Sequence, residues 1–199
     1  PKIYLPVNSS MLFDSYTNLE DIDLSPIDTS HATDFTQLFN GDRKLKKLDL
    51  SRFNTSKVTN MSRMFASCES LEELDLSSFN TKSVKSMALM FVGAKSLKSL
   101  NLTSFDTSNV IRMQSMFNDV RNLETLDLSS FNTSKVMDFA YMFENRYSYL
   151  NPAPIENKLK TIYVSEDFTT SAIGTLINEP VFSNRTGLCG GNGTCYSSS

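Results

Sequence analysis

The chain is poor in the residues that usually carry chemistry. Among 199 residues it has one histidine, His31, three cysteines and no tryptophan. A single imidazole excludes every catalytic scheme that needs two. Without an organised nucleophile, His31 reads as solvent-facing filler and not as a triad member. The same scarcity removes most metal sites. No stretch approaches the about 18 consecutive apolar residues that span a bilayer. Basic charge is not in excess either: 19 Lys and Arg against 22 Asp and Glu give a net charge of −3 and a pI near 5.2. A basic face for nucleic-acid phosphates is therefore not the default reading, and no nucleic-acid partner is expected. The chain opens Pro1-Lys2-Ile3-Tyr4, with neither Met nor a basic-then-apolar leader. That reads as a processed form or an excised piece, from which any export signal or anchor has been left out.

What the sequence has instead is repetition. Leu48-Asp49-Leu50, Leu74-Asp75-Leu76, Leu100-Asn101-Leu102 and Leu126-Asp127-Leu128 recur every 26 residues, and Ile22-Asp23-Leu24 stands one period earlier. Units begin at Leu19, Leu45, Leu71, Leu97 and Leu123, and again at Leu159 after ten extra residues. The shared pattern is Leu-x-x-Leu-Asp-Leu-Ser-x-Phe-Asn-Thr-Ser-x-Val-x-x-Met-x-x-Met-Phe. A fixed period of this length is the signature of stacked repeats, each too small to bury its apolar face alone.

Each unit divides into two elements. In the first, Leu74 and Leu76 point one way while Glu73, Asp75 and Ser77 point the other, which predicts a short strand with one buried face. In the second, Val58, Met61, Met64 and Phe65 fall at helical spacing, and Asn54-Thr55-Ser56 before them suit a helix N-cap. The expected fold is α/β: a leucine-rich-repeat-type solenoid, with a parallel sheet on one face, short helices on the other and divergent caps at both ends. Residues 1–18 read as an N-terminal partial unit shielding the first edge, and 19–145 as the regular array. Residues 146–158 read as an insertion, and 159–199 as the last unit with a glycine-rich cap. Thr169–Ile177 within that cap reads as a divergent helix. The methionine column fits flexible core filling better than a copper or cofactor site.

Outward strand positions form columns at the same period. The central one is Asp23, Asp49, Asp75, Asn101, Asp127 and Tyr163. Bare carboxylates on strands ~4.8 Å apart repel by about 0.9 kcal/mol per pair in water, so something must relieve them. One solution is a cation or a basic partner along the face. The other is hydrogen bonding to the Ser or Thr of each turn, favoured because a hydroxyl recurs beside every Asp. One flanking column runs Asp21, Lys47, Glu73, Ser99, Thr125, Thr161; the other is all Ser and Thr. Such a polar, hydroxyl-rich face suits a broad, wet contact and not an apolar pocket. Asp23, Lys47, Asp49, Glu73, Asp75, Asp127 and Tyr163 are the contact candidates. No catalytic residue, metal or cofactor is expected.

Cys189 and Cys195 enclose Gly190-Gly191-Asn192-Gly193, a tight-turn signal that would let them face each other across a hairpin. A structural disulfide is the favoured reading, because further zinc ligands are missing and redox use of such a loop is weakly supported. Cys68 stands where Ala94 and Val120 stand in later units, as a small buried hydrophobe. Tyr141, Tyr147 and Tyr149 cluster at the insertion, either as a second contact patch or as packing.

The run Leu-Asp-Leu-Ser-Ser-Phe-Asn-Thr-Ser-Lys-Val, followed by Met-x-x-Met-Phe-x-x-Cys, resembles the BspA-like leucine-rich-repeat family. It is most similar to the 26-residue branch found in mycoplasma lipoproteins and Gram-positive surface proteins. The resemblance covers about residues 9–165. It implies an exported, non-enzymatic module at the bacterial cell surface that binds an extracellular protein or glycan of the host or of another microbe. A structural spacer holding another domain away from the envelope is the alternative. A monomer is expected. The insertion at 146–158 and the paired cysteines depart from the family pattern, and neither a sorting motif nor a lipobox cysteine is present.

Overall fold

A computed structural model of the chain describes residues 2–144 and 156–169, and the backbone of 189–190. Its strands are short and all pair in parallel. They are β1 (Ile3–Tyr4), β2 (Ile27–Asp28), β3 (Glu73–Asp75), β4 (Ser99–Asn101), β5 (Thr125–Leu128), β6 (Thr161–Val164) and β7 (Cys189–Gly190). β1 pairs with β2, β3 with β4, and β6 lies between β5 and β7. Register follows the repeat: Leu74 faces Leu100, and Leu126 faces Ile162 across the ten extra residues. The buried-and-exposed alternation of β5 is the one the Leu-x-Leu pattern predicts, because a side-chain period of two puts both leucines on the core face.

The expected helices are absent: among the described residues there is no helix. The Met-x-x-Met-Phe segment is a succession of tight turns whose amides alternate in destination. The N–H groups of Met61, Arg63, Phe65 and Ser67 donate to the carbonyls of Ser86, Ala88, Met90 and Val92 in the next unit. Those of Met64, Ala66 and Cys68 donate back to Met61, Arg63 and Phe65. A helix would have turned all of them inward. So short a helix is marginal by itself, whereas a stacked neighbour offers acceptors at every second residue. The alternation requires a left-handed residue at fixed places: Gln37, Arg63, Leu89, Ser115 and Tyr141 each have φ between 53° and 58°. Four residues later the same conformation recurs, at Gly41, Ser67, Gly93 and Asp119.

The expected N-caps are corrected with the helices. Thr55 is buried, and its hydroxyl donates to the Asn80 carbonyl at 2.9 Å while accepting from the Asn80 amide at 2.8 Å. Thr29, Thr81 and Thr107 clip the following unit in the same way, so the threonines tie units together. Asn54 is the residue that folds onto the local backbone, accepting from the Ser56 amide and hydroxyl.

The leucines, methionines and phenylalanines of all units merge into one apolar cluster. Phe13, Phe39, Phe65, Phe91, Phe117 and Phe143 stack in a file, with centroids 5.3–6.0 Å apart and rings within 12° of parallel. A second file runs through Phe79, Phe105 and Phe131. The N-terminal partial unit lays Leu5 on this core but leaves Ile3, Tyr4, Val7, Met11 and Tyr16 more than half exposed. Residues 145–155, all but the first residue of the helix expected at Thr169–Ile177, and the tail with Cys195 lie outside the described residues.

Candidate functional site

The sheet face begins where each strand turns its polar residues outward. Lys47, Asp49, Glu73, Asp75, Asp127 and Asp23 are all exposed, and Tyr163 is 47% exposed. Burial of the intervening leucines fixes their direction. On this face the described backbone bonds join units two by two, with β7 added beside β6. Backbone and ion pairs join Lys46 to Glu20, Lys98 to Glu72 and Lys160 to Glu124, with N···O distances of 2.7, 2.6 and 3.9 Å. The ladder is incomplete: no strand forms at 21–24 or 47–50, and none pairs across the junction of the second and third units or between β4 and β5. A groove of about 700 Å³ opens at the junction of the second and third units, with Lys46, Lys47 and Leu48 on one wall and Glu72, Glu73 and Asp75 on the other. Three of the seven expected contact residues, Lys47, Glu73 and Asp75, therefore share one site. Asp23, Asp49, Asp127 and Tyr163 share the columns but do not line the groove.

The central carboxylates are relieved by hydroxyls and amides of their own turns. The Ser51 amide and hydroxyl lie 3.0 and 2.7 Å from Asp49 Oδ1, and the Ser77 amide 2.9 Å from Asp75 Oδ1. Asp23 and Asp127 accept from the amides of Ser25 and Ser129. The Ser25 and Ser51 hydroxyls and amides hold Asp23 and Asp49 below the usual carboxylate range, with Arg52 a smaller contributor. For Asp75 the main cause is the Ser77 amide, then its hydroxyl. Asp23, Asp49 and Asp75 are anions at neutral pH. All four carboxylates are open to solvent and present acceptors in a repeating row.

Two features escaped the sequence reading. The column Glu20, Lys46, Glu72, Lys98, Glu124, Lys160 alternates in sign, one residue ahead of the columns that were read, and the 26-residue period alone would have exposed it. The other is Asp42, which occupies the Cys68 column one unit earlier. It is fully buried, accepts from the Tyr16 amide at 2.8 Å, and has no partner for Oδ2. Burial pushes its carboxyl up to about 7, opposed by the Tyr16 amide and helped by Asp14. Cys68 itself is buried as expected. Its thiol donates to the Phe39 carbonyl at 3.1 Å, and burial and then the Asp42 charge push its pKa far up. A thiol held protonated this way is a poor nucleophile. His31 is exposed, edge-on to Tyr4 at 5.8 Å. Of the tail, only the backbone of Cys189 and Gly190 is placed, paired in parallel with Thr161 and Ile162; the expected disulfide with Cys195 lies outside the described residues.

The sequence matches a family described as "Mycoplasma protein of unknown function, DUF285", over residues 7–102 and 74–172. The chain belongs to the DUF285 family. No curated protein and no solved structure matches it. The DUF285 match spans the repeats and agrees with the mycoplasma side of the resemblance read from the leucine and methionine motifs. Among the described residues of this DUF285 chain, no helix is long and apolar enough to cross a membrane.

Proposed function

We propose that this DUF285 chain is a non-enzymatic binding module of the bacterial cell surface, engaging an extracellular protein or glycan through its sheet face. The stack is read as a BspA-like, leucine-rich-repeat-type solenoid in which helices are replaced by turns. The observation that supports this reading is the groove between the second and third units, where Lys47, Glu73 and Asp75 stand exposed on backbone fixed by the repeat. A polar, open groove with opposite charges on its two walls suits a broad contact made of many weak polar interactions, with specificity set by charge placement. Binding of the chain to an array of matrix proteins and glycans tests it. The Lys47→Ala/Glu73→Ala/Asp75→Ala variant is expected to lose any binding found, and undiminished binding clears the groove. The uninterrupted file of six phenylalanines favours a second reading, a stiff spacer that displays another domain. A spacer binds nothing on the array, with or without the three substitutions.

A further inference from the structure

The flank that follows the buried threonine column has a charge character the whole-chain balance conceals. Lys57, Lys82, Lys85, Arg112 and Lys135 are all exposed there. Among the described residues none of the five is in an ion pair, whereas the sheet-face lysines Lys46, Lys98 and Lys160 each are. Backbone bonds make them neighbours: the Lys85 amide donates to Thr59, the Ile111 amide to Lys85, and Arg112 continues the parallel bridge from Asn60 through Ser86. Lys135 Nζ reaches Asn109 Oδ1 at 3.0 Å, and Asn109 Nδ2 in turn donates to the Lys82 carbonyl. Four carboxylates share the flank. In its first unit Asp28 is paired with Lys2, and Asp34 accepts from the amide and hydroxyl of Thr36. Asp106 accepts from the hydroxyl and amide of Ser108 and is held down further by the charges of Lys82 and Lys135, and Asp138 accepts from the Ala140 amide. The five cations outnumber them and spread along the stacking direction, one or two to a unit, at four positions of the repeat.

We propose that this flank is a second binding surface, for a linear polysaccharide carrying sulfate or carboxylate groups. Cations spread over four successive units, each ~4.8 Å further along the stack, match a linear polyanion better than a compact anion. The hydroxyls of Thr59 and Ser83 lie among the cations; they donate to the Thr33 and Ser56 carbonyls, and their oxygens can accept from sugar hydroxyls. No aromatic ring lies among the cations, so the base stacking that nucleic-acid grooves use is missing. Since this surface shares no residue with the groove, it is independent of the sheet-face reading.

Titration of the whole chain with a heparin octasaccharide tests the proposal. Binding is expected at low salt and should weaken steeply as salt is raised. Lys57→Gln/Lys85→Gln/Arg112→Gln should weaken it about tenfold or more, since three phosphate-like contacts are lost. Lys98→Gln/Lys160→Gln on the sheet face should leave it unchanged, and equal thermal melts establish that both variants fold. The proposal is overturned by any of four results: no binding at low salt, equal loss in the sheet-face variant, a DNA duplex binding as tightly, or anionic phosphatidylglycerol vesicles binding where the octasaccharide does not. The last would make Ile111 and Met137, exposed by 37% and 68% beside the cations, part of a membrane contact instead.

Discussion

The sheet flank and the turn flank repeat with the same period but are joined differently. On the turn flank every described junction is bonded: Asn8, Asp34, Asn60, Ser86, Arg112 and Asp138 bridge one to the next, and alternate amides cross each gap. On the sheet flank the ladder is broken, between β4 and β5 and between the second and third units, where the groove opens. The segment that looked like a separate helical layer is thus the one that ties the stack together. The predicted sheet is the looser side. A face whose ladder is incomplete can vary its outward residues without unmaking the stack, which is what a recognition surface needs.

The comparison is broken most severely at the phenylalanine file beneath the turn flank. Phe91 is fully buried between Phe65 and Phe117, so Phe91→Ala is expected to cost about 3–5 kcal/mol in chemical denaturation, because the rings on either side cannot close the gap. A smaller loss would mean the units collapse independently.

Asp42 comes next. Its folded pKa of about 7 lies above the ordinary carboxylate value of 3.8, so the folded state binds its proton more tightly than the unfolded chain. Stability from this group is full below about pH 4, declines as pH rises towards 7, and is then flat. Asp42→Asn should raise the melting temperature at pH 8 and leave it nearly unchanged at pH 4. An equal shift at both pH values would remove ionisation as the cause.

Arg63 separates a helix from the turns directly. In a helix, Arg63→Gly would cost about 1 kcal/mol. At its observed φ of 58° glycine relieves the left-handed strain, so the variant should be neutral or up to about 1 kcal/mol more stable in the same denaturation assay. The smallest effect belongs to the sheet flank. The side chains of Glu72 and Lys98 are 57% and 59% exposed, and Glu72→Gln should cost under about 1 kcal/mol and less still at high salt.

Much of this was legible beforehand. Strands β3 to β6, the 26-residue register of β3 with β4 and the inward leucines follow from alternation, and Lys47, Glu73 and Asp75 are exposed as alternation requires, whereas the same pattern at 21–24 and 47–50 forms no strand. The turn segment was misread because Met61, Met64 and Phe65 have the same inward spacing in a helix and in consecutive turns with i to i−3 bonds. Apolar periodicity reports which side chains are buried and is silent on where the amides bond. Asp42 and the alternating Glu/Lys column were open to the same periodic reading that found their neighbours.

The sequence alone determined the period, the identity of the core and the polar columns, because these depend only on which residues recur. The tertiary structure decided the rest. It placed Ser86 and Ala88 within reach of the Met61 and Arg63 amides and so chose turns over a helix. It also enclosed Asp42 and gathered five lysines and arginines onto one flank of an acidic chain. Each outcome depends on a neighbouring unit, and a neighbour's hydrogen-bonding groups, shielding and charges act only once the units are stacked.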